Sequence, residues 1–366
     1  MNPVMHPSNV ETFLPVFNEV ARNFVDMLMK SKEPIDPRHA IFDATLDAVI
    51  GTVIARKPLT SQMKKDVSFI IDVGTEIFLE RFFKIWLHPE WIFKLVYRKE
   101  LSEMYRIMDE GVDFINKEWE KEKILRRTYQ YDISNPKSPA MNLVDVCYEN
   151  EDSDVAENHE WKDEITTILL GATDTMVAAL SFLLVTLANY PSIQEKIIAE
   201  IKQVMGEEYL TRDVTVSDIS SLTYLGQAIM ESMRFHGNVP LILRKATKDT
   251  KLRSCTLPAG SRILIPLHAM GWNSIYFPHP ERFQPERFAP ESDDRSARHN
   301  YSYLPFSGGP RCCIGKTYAL MFMKTVMVHI LRRCAVKSQV RLEDIVYEIR
   351  MVMYSKTPVL LTFEPR

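Results

Sequence analysis

A thiol held where a turn feeds a helix is a place to make a thiolate, and the stretch Pro305-Phe306-Ser307-Gly308-Gly309-Pro310-Arg311-Cys312-Cys313-Ile314-Gly315 sets two thiols side by side. Beyond it Tyr318, Met321, Val326, Met327 and Ile330 recur at helical spacing, which predicts a helix reaching Arg333 with Cys313 at its N-terminus. Free N–H groups and the positive dipole end favour a negative sulfur there. Gly309 and Gly315 let the backbone approach a bulky neighbour, Pro310 fixes the turn, Phe306 can cover the sulfur from water, and Arg311 adds a cation. The plain alternative is a connector. A second constellation, Gly171-Ala172-Thr173-Asp174-Thr175-Met176, puts a glycine, a carboxylate and hydroxyls in the middle of an apolar helical segment. Each is somewhat unfavourable there, and such a local conflict points to function. A third, Glu231-Ser232-Met233-Arg234, places a carboxylate and a guanidinium on one helix face. Alone that is an ion pair worth about 0.3 kcal/mol.

The elements that must position these groups are mostly helical. Residues 10–31, 37–56, 61–86 and 97–127 carry apolar residues three and four apart, broken at Glu33-Pro34-Ile35-Asp36-Pro37, Lys57-Pro58 and His88-Pro89. Residues 134–140 and 149–154 read as surface loops around a short helix that includes Cys147. A long helix follows from about Glu157 to Tyr190, stopped at Pro191, then helices over 192–204 and 220–235. After Pro240 the pattern changes: 241–246, 253–256 and 261–267 look like short strands of one small sheet. Residues 271–312 are proline-rich and aperiodic, a loop long enough to need a job, and 336–341, 346–354 and 359–363 read as edge strands.

Composition narrows the function. The chain has 366 residues, 46% hydrophobic and 25% charged, with a net charge of −3 free of long single-sign blocks, which offers nothing to nucleic acid. Five cysteines, scattered except for one adjacent pair, suggest neither a disulfide framework nor a zinc site, and the chain reads as that of a reducing compartment. The first thirty residues lack the pattern of a signal peptide or a membrane anchor, and the apolar run from Ile165 to Tyr190, interrupted by Gly171 and Asp174, reads as a buried core helix.

Phe306, Gly309, Arg311, Cys313 and Gly315 fill every fixed place of F-x-x-G-x-R-x-C-x-G, and this stretch resembles the haem-binding loop of the cytochrome P-450 family. The order of E-x-x-R at Glu231, Pro285-Glu286-Arg287-Phe288 and then the cysteine loop resembles that family's core. The resemblance implies a mainly α fold with small β-sheets, a single domain over 1–366, and Cys313 as thiolate ligand of a haem b iron, with Cys312 a bystander. It implies Arg311 and Arg244 at the haem propionates, and a buried structural triad of Glu231, Arg234 and Arg287. Gly171 to Thr175 is similar to the family's [AG]-G-x-[DE]-T motif, which implies Asp174 and Thr175 as the acid–alcohol pair relaying protons to dioxygen. Ala172 and Met176 depart from the usual residues.

In texture the chain is similar to animal, especially insect, microsomal members of the fourth group of that family. Such members often carry a glutamate bonded to haem where this chain has Gly171, so non-covalent haem is implied. The implied reaction is a monooxygenation that inserts one oxygen from O2 into a fatty acid, terpenoid hormone or foreign compound. Electrons would come from NADPH through an NADPH-cytochrome reductase, with cytochrome b5 as a further partner. The acidic reductase would dock near Arg311, Lys316, Lys324, Arg332 and Arg333. The implied location is the cytosolic face of the endoplasmic reticulum membrane. Against such relatives the chain reads as N-terminally truncated, without the anchor, the first strands and the W-x-x-x-R helix. The other reading is therefore a non-catalytic haem binder or inert helical fragment of such an enzyme.

Overall fold

The computed structural model describes residues 4–31, 33–54, 59–128, 142–143, 160–292 and 299–366. Among these the fold is mainly helical with small antiparallel sheets. The loops and short helix expected over 134–154, with Cys147, lie outside the described residues apart from 142–143.

The N-terminal part comprises α1 (Pro7–Glu11), α2 (Leu14–Leu28), and α3 (Arg38–Val49), which runs on as a π-helical turn, Ile50–Ile54. Then come α4 (Ser61–Phe83), α5 (Glu90–Val96) and α6 (Arg98–Thr128). The spacing of Leu14, Phe17, Ala21, Phe24, Val25 and Leu28 explains α2, since these residues form its buried stripe. Thr60 caps α4 by accepting from the Met63 N–H at 3.3 Å.

Around the centre run α7 (Glu160–Asn189), α8 (Pro191–Met205), α9 (Val216–Ser221) and α10 (Thr223–His236). The stretch Glu164–Asn189 is long enough to cross a membrane, and 18 consecutive residues of it have a mean hydropathy of 2.0, yet 72% of those are buried inside the protein. It packs on α3, α10 and the sheet that closes the chain, so its leucines supply core energy, about 1.5–3 kcal/mol for each one fully buried. Pro191 starts α8, where a missing N–H costs nothing, and Gly237, at φ 65°, ends α10 in the left-handed conformation.

The strands differ from expectation in grouping. β1 (Ile242–Lys245) pairs with β4 (Arg262–Ile265), setting Arg244 opposite Ile263, while β2 (Thr250–Lys251) and β3 (Thr256–Leu257) form a separate hairpin. The strand expected over 253–256 therefore splits, because Leu252 to Cys255 make the turn, closed by the Leu252 N–H donating to the Cys255 carbonyl at 2.7 Å. The expected strand 346–354 is likewise a hairpin, β6 (Tyr347–Ile349) and β7 (Met353–Ser355), reversing through Arg350 to Val352. β5 (Cys334–Ser338) and β8 (Leu361–Pro365) pair with each other beside α7. Between β4 and the cysteine loop lies α11 (Leu267–Gly271), and α12 (Lys316–Leu331) follows that loop and packs against α2.

Candidate active site

A cavity of about 450 Å³ opens between α7, the cysteine loop, α12 and β1, within the ~300–1,000 Å³ usual for cofactor and ligand clefts. From α7 it takes Ile168, Gly171, Ala172, Thr175, Met176 and Ala179, a stripe at spacings of three and four. From the loop it takes Phe306, Ser307, Arg311, Cys313 and Gly315. Cys313 borders the cavity and its neighbour Cys312 does not.

The cysteine loop is held by its own backbone. The Cys313 N–H donates to the Phe306 carbonyl at 2.8 Å, and Ser307 sits at φ 60°, a left-handed conformation that costs a non-glycine residue about 1–3 kcal/mol. Arg244 steadies that residue by donating from Nη2 to Ser307 Oγ at 3.1 Å. Helix α12 begins at Lys316, not at the cysteine, so Cys313 lies one short step outside the helix end. Burial pushes its thiol up, and the Gly315 N–H, directed at the sulfur, pulls the other way with less effect. Desolvation thus outweighs the pull of the Gly315 N–H on the Cys313 thiol, although the residue itself remains exposed. Arg311 lines the cavity, and no protein group among the described residues pairs with it.

Opposite the loop, Thr175 donates its hydroxyl to the Gly171 carbonyl at 2.7 Å, one turn back along α7. A Cβ built on Gly171 would meet nothing within 4 Å, so the cavity is open at that point. Asp174 departs from expectation. It belongs to neither the cavity wall nor the solvent: its side chain falls off the lining stripe, is 4% exposed, and accepts a hydrogen bond from the Tyr354 hydroxyl of β7. Burial raises its pKa, the Tyr354 hydrogen bond opposes this, Asp72 of α4 adds to the rise and Arg350 opposes it. Its hydrogen-bond partner is a phenol, brought to that face of α7 by the hairpin.

Glu231, Arg234 and Arg287 come together. Arg234 Nε and Nη2 donate to the two carboxylate oxygens of Glu231 at 2.7 and 2.8 Å, and Arg287 Nε lies 3.4 Å from Glu231 Oε1. The Gln284 N–H adds a donor at 2.9 Å, and the guanidinium groups reach the carbonyls of Gly271 and His279 at 2.9 and 2.7 Å. The triad therefore bolts the long loop to α10. Next to it His236 is wedged between Thr186 Oγ1 (2.7 Å) and the Tyr347 hydroxyl (2.8 Å), and burial lowers its pKa to about 3, so it stays neutral.

The cationic face expected on α12 is smaller than its sequence implies. Lys324 points inward, its Nζ 2.7 Å from the Ile219 carbonyl, and Arg332 is buried against the carbonyls of Tyr209 and Arg212. Arg333 pairs with Asp26. Lys316 remains exposed, 6.0 Å from the Phe306 ring centroid.

The family model described as cytochrome P450 matches residues 1–363. The chain belongs to the cytochrome P450 family. Its relatives include cytochrome P450 4c21 of Blattella germanica, 29% identical over all of this chain and 74% of that protein. Cytochrome P450 4d2 of Drosophila melanogaster is 28% identical over 91% of this chain and 68% of its own length. Cytochrome P450 4V2 of Homo sapiens is 27% identical over all of this chain and 71% of its own length. As a cytochrome P450 the protein is a monooxygenase, working with a haem held through a cysteine thiolate, a redox partner and a small-molecule substrate. The cavity fits such a group: a thiol on one wall, a glycine with no side chain on another, and two guanidinium groups at the edge able to meet two carboxylates.

Proposed function

We propose that the chain is one haem-binding domain that inserts an oxygen atom from dioxygen into an apolar small molecule, a fatty acid, a terpenoid or a foreign compound. The observation that carries this reading is the single cavity bordered by both Cys313 and Thr175. A continuous buried core from Val4 to Phe363 supports one domain. Cys313 would hold the iron, Arg311 and Arg244 the propionates, and Gly171, lacking a side chain, leaves haem b non-covalent. When bound, the haem supplies the oxygen chemistry, with thiolate electron density favouring O–O cleavage.

The chain's own groups do the rest. Phe306 lines the cavity beside Cys313, and the Thr175 hydroxyl, its hydrogen given to the Gly171 carbonyl, presents acceptor lone pairs to it. Asp174 is the proton source on the outer side of α7. Val53, Ile168, Met176 and Ala179 make the wall apolar, which excludes water and suits a hydrocarbon substrate.

Electrons would come from NADPH through an NADPH-cytochrome reductase or cytochrome b5, with Lys316 an exposed cation just after the cysteine loop. Reduction by the reductase should slow in Lys316→Glu and at high salt. Membrane association at the endoplasmic reticulum is supported by an apolar surface over 78–96. There Phe83 and Ile85 are 74% exposed and Trp91 70%, while Arg81 and Lys84 are neutralised by Glu90 and Glu80. Binding to neutral vesicles should fall in Trp91→Ser and respond little to salt.

The test of the activity is isotopic. With reductase, NADPH and labelled dioxygen, the haem-loaded protein should put one labelled oxygen into a member of one of the three substrate classes. Label arriving from water, or no product from any class with haem bound, would contradict the proposal.

A further inference from the structure

Asp174 and Tyr354 lie 180 residues apart in sequence and meet where three elements converge. The carboxyl group projects from α7, Asp72 of α4 is near enough to raise its pKa, and the β6–β7 hairpin brings Tyr354 onto it. Tyr354 is held there from above: the Arg350 guanidinium lies 4.8 Å from its ring centroid, with its Nε 3.0 Å from Glu348 Oε2. Lys356 Nζ is 3.5 Å from the other Glu348 oxygen, so the hairpin carries a charged rim above a buried phenol. The hairpin is anchored at its other strand by the Tyr347 hydroxyl on His236. The Tyr354 oxygen is therefore placed by a fixed hairpin and spent on one partner.

We propose that Tyr354 is a positioning residue for the monooxygenase reaction, acting through Asp174: its hydroxyl holds the Asp174 carboxyl group against the hairpin and stabilises the carboxylate left each time that group gives up a proton. The proton passes from an Asp174 oxygen to water on the cavity side of α7, the electron pair stays on the carboxylate, and solvent beside the Arg350–Glu348 rim returns a proton to it. Tyr354 is not consumed: it donates the same hydrogen bond throughout. An ionised Asp174 without it would be a buried anion facing Asp72, with Arg350 as the nearest opposing charge.

This rests on the reading of Asp174 as the proton source, and the experiment separates the two. In the full chain without haem, infrared titration should show a protonated-carboxyl band that Asp174→Asn removes. In Tyr354→Phe that band should persist to higher pH than in the parent, because the hydrogen bond favouring the carboxylate is gone. Tyr354→Gln, which restores a donor, should return it part of the way. In the haem-loaded protein Tyr354→Phe should keep the Soret band of the reduced CO form, while product per electron falls several-fold and the solvent isotope effect grows. A band titrating as in the parent, or a parent-like isotope effect in Tyr354→Phe, overturns the proposal. A parent-like isotope effect in Asp174→Asn as well would locate the failure in the reading of Asp174.

Discussion

Two of the carboxylates buried among the described residues are held under opposite terms. Glu231 is 0% exposed and meets two guanidinium groups and a backbone N–H, so its charge is opposed by two cations and an amide donor. Asp174 is 4% exposed and has one phenol as its hydrogen-bond donor, with another carboxylate as neighbour. The first arrangement fixes a geometry, which suits a bolt. The second leaves the charged form poorly supported, so protonation can change at modest cost, which suits a group that exchanges protons. Burial alone thus decides neither role; the count and charge of the donors do.

The largest effect expected from this contrast is at the bolt. Glu231→Gln leaves two buried guanidinium groups without their anion and should cost about 3–5 kcal/mol, read as a lower denaturant midpoint with loss of bound haem. A destabilisation no larger than that of an exposed ion pair would erase the difference between the two sites.

Asp174→Asn should be far milder, and its sign should depend on pH. The folded pKa of Asp174 is raised above its ordinary 3.8, so its stabilising contribution is present below that ordinary value and is lost as pH rises through the folded one. Asparagine does not titrate, so the stability of Asp174→Asn relative to the parent should improve as pH rises across that window. A difference that is flat with pH would mean Asp174 is as well supported as Glu231.

Thr175→Ala sharpens the contrast from the cavity side and should disturb the fold least, since the hydroxyl's one protein bond is to its own helix. Haem binding and the thiolate spectrum should persist, while electron consumption uncouples from product and hydrogen peroxide is released. Parent-like coupling would make the hydroxyl a packing feature.

The bolt was readable in the sequence because its parts are local: Glu231 and Arg234 share a helix face, and Arg287 sits in its own proline-led tetrapeptide. The cysteine loop was readable for the same reason, a contiguous backbone turn whose residue types are each set by the turn. The partner of Asp174 was not. Tyr354 lies in a segment that alternates like one strand, and its reversal, Arg350-Met351-Val352, has none of the glycine, proline or asparagine that marks a turn. The cations of α12 misled in a related way. Spacing gives a helix face but not which flank another element covers, and Lys324 and Arg332 turn inward because carbonyls at the α9 end and beside α8 need donors.

The claim on which all of this depends is that the Cys313 sulfur, and not that of Cys312, holds the iron. The Soret band of the reduced, CO-bound protein measures it directly. Cys313→Ala should lose the haem or the thiolate-type position of that band, while Cys312→Ala should keep it. A thiolate-type band that survives Cys313→Ala and vanishes in Cys312→Ala would contradict the account.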